Sequence, residues 1–320
     1  MAEIGKDIRK AKEILEAGEL VAIPTETVYG LAANALNSSA VPRIFTVKNR
    51  PYFDPLIVHV ASLEQAHMYV QFFPTSALNL ARHFWPGPLT LVLEKKEIIP
   101  GLVTSGMTTV GIRCPDQELT LELLRSLPFP LAAPSANPFG YISPTEPAHV
   151  NEQLGDKISY ILDGGTCRVG IESTIVGFEK SQPVIYRMGA INMEEIERIV
   201  GPVRVLTHST SHPMAPGQLT SHYSPRKRLV LGVMPQLIEK FHGYSAGILS
   251  FMTDYSEVDA DHQIILSSSA NLEEAAQKLF LALHQLDKMD IQIILAEEVP
   301  DVGIGRAIND RLRRAAAPGE

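Results

Sequence analysis

Thr207-His208-Ser209-Thr210-Ser211-His212-Pro213, followed by Ala215-Pro216-Gly217, is a run of hydroxyls, prolines and glycine without apolar periodicity. A stretch of this kind has nothing to bury, so it reads as a connection between folding units rather than part of one. It divides a chain of 320 residues, a length at which two domains are expected anyway. The expected division is a first domain over 1–206, a linker over 207–226 and a second domain over 227–320. With 45% hydrophobic and 20% charged residues, both units have the composition of packed globular domains.

Before the linker, short apolar runs alternate irregularly with helical patterns. Ile4, Ile8, Ala11 and Leu15 recur at helical spacing with Gly18 as the terminator. Leu20-Val21-Ala22-Ile23, stopped by Pro24, reads as a buried strand. Further strands are expected over 56–60, 89–93, 110–113, 131–133, 160–162, 173–178 and 183–187, with helices over 76–83, 118–127 and 193–200. Asn192 with Glu195 forms a capping-box pattern for the last helix. This mixture predicts an α/β domain built on a mixed sheet with flanking helices. After the linker, strands are expected over 229–233, 245–251, 264–266 and 291–295. A strong helix starts at Asn271, with Glu274 in the capping position and Leu272, Ala275, Leu279, Leu283 and Leu286 on one face, and a final helix covers 306–314. That order is a small Rossmann-like α/β unit.

A formal charge of −8 excludes a generally basic nucleic-acid coat, so any anion site must be a local cluster of cations. The charged, helical start lacks the apolar segment of a signal peptide, and no apolar run is long enough to span a bilayer, so a cytoplasmic protein without membrane contact is expected. Cys114 and Cys167 are widely separated and read as two buried thiols, with no metal-type spacing. No G-x-x-x-x-G-K-S/T loop or G-x-S-x-G elbow occurs. Gly303-Ile304-Gly305 is only half of a dinucleotide fingerprint, with Ile308 at the third glycine position. His208 and His212 read as solvated linker residues, and no protein-borne metal site is expected.

The polar residues that stand out lie beside expected strands, where α/β proteins concentrate function. They are Thr25-Glu26-Thr27, Lys48 and Arg50, Asp54, His59, Arg113, Ser135 and Asn137, Ser143 and Thr145, Glu172-Ser173-Thr174, and Arg187. Taken singly, each reads as a turn or an exposed polar residue. Together, Lys48, Arg50, Arg113 and Arg187 with nearby hydroxyls suit a ligand bearing a polyphosphate and a carboxylate.

PTETVYGL, KNRP with DPLIVHV, FWPGPLT, VGIRCP, APSAN with SPT, IESTIV and YRMG follow one another across residues 23–189. In these motifs the sequence resembles the YrdC-like family of threonylcarbamoyl-AMP synthases. Its linker segment APGQLTSHYSP, residues 215–225, is similar to the one that leads into the C-terminal Rossmann-like domain of the family's long form. The resemblance implies a YrdC-like twisted sheet and an enzyme that condenses L-threonine, bicarbonate or carbon dioxide, and ATP into threonylcarbamoyl-AMP with release of pyrophosphate. It assigns threonine to Thr27, His59, Arg113, Ser173 and the backbone of Ala133. It assigns ATP to Arg50, Asp54, Thr109, Ser135, Ser143, Arg187 and Tyr223, with Lys48 and Arg50 acting on the phosphates. Mg²⁺ is expected on the polyphosphate, held mainly by phosphate oxygens and water. The linker would close over a labile mixed anhydride. Partner proteins would take the threonylcarbamoyl group to tRNA, and transient contact with tRNA is expected. The competing expectations are an RNA-binding YrdC-like protein without adenylate synthesis, and a carbamoyl-transfer module. The latter's zinc-finger-like companion would need four cysteines, and this chain has two.

Overall fold

The computed structural model describes residues 1–207 and 222–317. His208, His212, residues 218–221 and most of the expected lid lie outside the described residues.

In chain order the first domain runs β1 (Glu3–Gly5), α1 (Ile8–Glu16), β2 (Val21–Ile23), β3 (Gly30–Asn34), α2 (Val41–Lys48), β4 (Ile57–His59), α3 (Leu63–Ala66) and α4 (Thr75–Phe84). It continues through β5 (Leu89–Glu94), β6 (Thr109–Arg113), α5 (Glu118–Ser126), β7 (Leu131–Ala132), α6 (Pro147–Leu154), β8 (Tyr160–Leu162), β9 (Thr174–Glu179), β10 (Gln182–Arg187), α7 (Met193–Val200) and β11 (Arg204–Val205). The second contains β12 (Arg228–Leu231), α8 (Met234–Lys240), β13 (Ala246–Ser250), β14 (Gln263–Ile265), α9 (Leu272–Lys288), β15 (Ile293–Ala296) and α10 (Gly305–Ala316).

All of the first domain's strands join one mixed sheet in the order β1-β8-β2-β3-β7-β4-β6-β5-β9-β10-β11. The period of two along each strand sorts its residues. Val58, Leu91, Ile112, Val176 and Ile185 join the main core with α2, α4 and α7, while Ile57, Val92, Ile175, Val184 and Tyr186 line the opposite face. The second domain is the expected small α/β unit. Its four strands are all parallel, in the order β12-β15-β13-β14. Ile293 and Leu295 pack on α8, while Ile294 and Ala296 pack toward α9 and α10. Burial on both faces explains the unbroken apolar runs of these strands.

Several expectations need correction. Ile4 belongs to an edge strand parallel to β8 rather than to the first helix, which starts after the Asp7 cap. The strand β3 was not legible because GLAAN carries no β-branched or aromatic residue. Helix α2 was hidden by Val41, Pro42, Ile44, Thr46 and Val47, so Lys48 is the last residue of a helix instead of a loop residue. The Asn192–Glu195 capping box is complete. At Asn271 only half of one forms, because the Glu274 carboxylate accepts from Ser267, Ser269 and Lys278 instead of from the cap backbone. Cys114 and Cys167 are buried, free thiols.

The two domains share a core. Val28, Ile142 and Ile171 of the first pack with Leu279, Phe280, Leu283 and Ile308 of the second, and Tyr223 sits among them. Polar contacts fix the register of this docking: Tyr141 donates to Asp287 (2.6 Å), His284 meets the Ser143 carbonyl (3.1 Å), and His149 stacks on His284 at 3.9 Å. Gly170, at φ +79°, lies so close to α9 that a Cβ there would be 2.4 Å from Gln277 Cα. Replacing Gly170 by Ala forces both a left-handed alanine and a backbone clash. It should destabilise the docked protein by about 2–4 kcal/mol, read as a lower urea midpoint.

Candidate active site

The cleft lies across one face of the large sheet. Ile57 and His59 of β4 point into it together because they are two residues apart, and Arg113 of β6 joins them as the register partner of His59. Arg187 reaches the same face by a different device. Between Ile185 and Arg187 the β9–β10 register shifts, so that Arg187 pairs with Ile175 of the cleft-facing set. Its guanidinium donates to the Ser173 carbonyl from Nε (3.1 Å) and from Nη2 (3.0 Å), and to the Ser173 hydroxyl (3.0 Å). Thr27, Val28, Arg50, Ile57, His59 and Arg113 form one part of the lining. Ala133, Pro134, Ser135, Glu172, Ser173, Arg187, His222 and Tyr223 complete it, around about 520 Å³ of space that includes the open mouth.

Loops hold the polar rim in place. The Thr25 hydroxyl donates to the Val28 carbonyl (2.6 Å) and accepts from the Thr27 and Val28 amides (3.2 Å each), so the turn after β2 is folded by its own side chain. Thr27 then receives a bond from Arg113 Nη2 (3.0 Å). Arg113 also pairs with the buried Glu26 carboxylate at 2.7 Å. Arg50 donates to the carbonyls of Asp54 (3.1 Å) and Pro55 (2.8 Å) and pairs with the Asp54 carboxylate at 2.9 Å. Burial pushes the Asp54 carboxyl upward, and Arg50 opposes that shift. The Lys48 ammonium is buried and donates to the backbone carbonyls of Ser135 (2.5 Å) and Asn137, tying α2 to the loop after β7. Burial, reinforced by Arg50, drives its pKa well below the usual lysine value.

Nine expected site residues therefore meet at one cleft: Thr27, Arg50, His59, Arg113, Ala133, Ser135, Ser173, Arg187 and Tyr223. Four do not line it. Lys48 lies behind Ser135, and Asp54 lies behind Arg50. Ser143 sits behind Glu172, to which its hydroxyl donates at 2.6 Å. Thr109, at the far end of β6, lines a separate small cavity with Thr90 and Thr104.

The sequence gives no role to Glu26 or Glu172, which it singles out only as members of polar segments, and it does not single out His222. Glu26 and Glu172 stand inside motifs that were singled out, but an acid in a motif that binds anions gives no sign of which cation it faces. His222 is buried in the cleft wall beside Tyr223, edge-on to Phe139 at 5.8 Å. Burial, with Arg50 and Lys48 next in effect, holds it neutral far below the usual histidine range.

Arg50, Arg113 and Arg187 all line the cleft, together with hydroxyls and two neutral histidines, His59 and His222. A site of this kind defines an α/β protein that holds a small polyanionic ligand away from bulk water. Comparison with known proteins identifies the family. A family model described as "Telomere recombination", that of the Sua5, YciO and YrdC proteins, matches residues 13–189. A second, described as "Threonylcarbamoyl-AMP synthase, C-terminal domain", matches residues 191–317. The threonylcarbamoyl-AMP synthase of Pyrococcus abyssi is 42% identical over 97% of this chain and 94% of its own length, and that of Bacillus subtilis is 39% identical over 97% and 92%. The crystal structure of Pyrococcus abyssi Sua5 complexed with L-threonine superposes with a TM-score of 0.92 at 40% identity, covering 99% of this chain and 97% of that one. The chain belongs to the threonylcarbamoyl-AMP synthase family, whose members are nucleotidyltransferase-type enzymes that form an adenylate.

Two expectations follow from the burial of these polar groups. Lys48→Met leaves the Ser135 and Asn137 carbonyls without their donor and should cost about 1–3 kcal/mol in unfolding free energy, measured by urea titration. Burial also depresses three histidines: His59 to about 3, His149 to about 4 and His284 to about 3. The unfolded chain takes up these protons near pH 6.5, the folded protein only far below. Stability from these groups is thus complete above pH 6.5 and is lost as the pH falls toward 4 and 3. Each contributes a slope of up to about 1.4 kcal/mol per pH unit. Urea midpoints at pH 7.5 and 5.5 should differ accordingly, and His284→Gln should flatten the difference; equal midpoints would contradict this account.

Proposed function

We propose that this protein condenses L-threonine, bicarbonate or carbon dioxide, and ATP into threonylcarbamoyl-AMP, releasing pyrophosphate. The observation that carries the reading is the inward convergence of Arg50, Arg113 and Arg187 on one half-enclosed cleft. The reaction brings a carboxylate, a carbamate and a polyphosphate together, and these repel one another unless cations are already in place. Arg113, beside Thr27 and His59, suits the threonine carboxylate. Arg50 and Arg187, with Ser135 and Tyr223, suit the nucleotide. Threonine's amine adds to carbon dioxide and loses a proton to give the carbamate. The carbamate oxygen forms a bond to the α-phosphorus as the bond to pyrophosphate breaks. The nucleophile belongs to the substrate, so no side chain need act as one.

His59 is neutral at working pH, so it can exchange hydrogen bonds with substrate without adding charge. Lys48 would act through the Ser135–Asn137 loop that it holds. ATP is read as its magnesium complex. The carboxylates in or behind the cleft wall, Glu172, Glu26 and Asp54, are each engaged by an arginine. That arrangement fits an ion brought in on the phosphates rather than one caged by side chains. No helix among the described residues is long and apolar enough to cross a membrane. A reaction that draws on ATP and serves tRNA modification belongs in the cytoplasm, with partner proteins receiving the adenylate and tRNA in transient contact.

The test is pyrophosphate release by purified protein with threonine and bicarbonate each present or omitted. Release should require both, and Arg113→Ala should raise the KM for threonine by at least about tenfold, the cost of losing a charge-assisted pair. Release indifferent to threonine would refute the assignment.

A further inference from the structure

The second domain places one buried charged side chain behind the wall of the cleft. Arg311 projects from α10, is fully buried at 0% exposure, and meets the Glu172 carboxylate from both Nε and Nη2 at 3.1 Å. Its Nη1 donates to the Met188 carbonyl (2.6 Å), next to Arg187, and to Asp310 (3.1 Å). Its guanidinium also lies 5.3 Å from the centre of the Tyr223 ring, which stacks on Phe280 of α9 at 5.5 Å and meets His222 edge-on at 4.1 Å. Glu172 and Tyr223 both line the cleft, while Arg311 itself does not.

An acidic residue in the wall of a site for a polyanion needs explanation. Glu172 is buried and adjoins Ser173, the residue that Arg187 grips. Left alone, its negative charge would repel phosphates and draw Arg187 away from them. We propose that Arg311 is a positioning residue for the nucleotide half of the site. By neutralising Glu172 and supporting the Tyr223 ring it makes ATP affinity depend on docking of the second domain. This rests on the reaction proposed above, but it concerns nucleotide binding and is read separately from turnover. The same arrangement explains why Ser143 is near the site without lining it: its hydroxyl takes the remaining Glu172 oxygen.

The experiment is equilibrium binding of ATP and, separately, of L-threonine to the full chain. The variants are Arg311→Lys, Arg311→Met and the double variant Arg311→Met with Glu172→Gln. Arg311→Met should weaken ATP binding by at least about tenfold, the usual scale for exposing one unpaired buried charge, while changing threonine binding by less than about threefold. Arg311→Lys, which keeps charge without the fork, should fall between. Adding Glu172→Gln should restore ATP affinity to within about threefold of wild type, because the charge needing neutralisation is gone. Unchanged ATP binding in Arg311→Met, equal losses for ATP and threonine, or no recovery in the double variant would each overturn the proposal. If Arg311→Met does not fold, the comparison passes to the double variant and Arg311→Lys, and a folded double variant binding ATP about tenfold more weakly than Arg311→Lys would overturn it. Loss of pyrophosphate release in wild type with ATP binding intact would refute the reaction and leave this inference standing.

Discussion

Burying a guanidinium is unfavourable unless its charge and its donors are matched nearby, and this protein buries Arg50, Arg113, Arg187 and Arg311. Three of the four are matched by groups from a distant or separately folded segment. Arg113 at the end of β6 meets Glu26 and Thr27 after β2, and Arg187 at the end of β10 meets the Ser173 backbone before β9. Arg311 of the second domain meets Glu172 of the first. Arg50 is matched locally, by Asp54 and the carbonyls on either side of Pro55. The cleft exists because these matches leave part of Arg50, Arg113 and Arg187 facing a shared space.

The sheet makes that possible. A site at strand ends alone would place the cations in a row; here the pleat and one bulge bring them onto a face. His59 and Arg113 arrive by simple alternation from adjacent parallel strands that pair them directly. Arg187 arrives only through the register shift that lets it oppose Ile175. Tyr223 of the linker then closes one side of the face, backed by Phe280 and Arg311 of the second domain, so that domain's docking is part of the site's construction.

Much of this was legible. Short apolar runs marked β2, β5, β6, β8 and β15, the first of them stopped by Pro24, and the capping pattern at Asn192 marked α7, since these signals are local. Elements whose stability comes from neighbours were not legible: β3 is a strand because it pairs between β2 and β7, in spite of its small side chains. Lys48 had the right chemistry for an anion site, yet its side chain is spent on two carbonyls that arrive from the loop after β7.

The sequence by itself determined the two-part organisation, the α/β class, and the inventory of cations and hydroxyls, because composition, period and motif order are properties of the chain. Tertiary structure alone decided which of those residues share a cavity. Thr109 and Arg113 lie on one strand and one face, but only Arg113 enters the cleft. Glu172 is acidic in a site for anions until an arginine from another domain pairs with it. Charge acts through distance, and distance between remote segments is set by packing that no local pattern records.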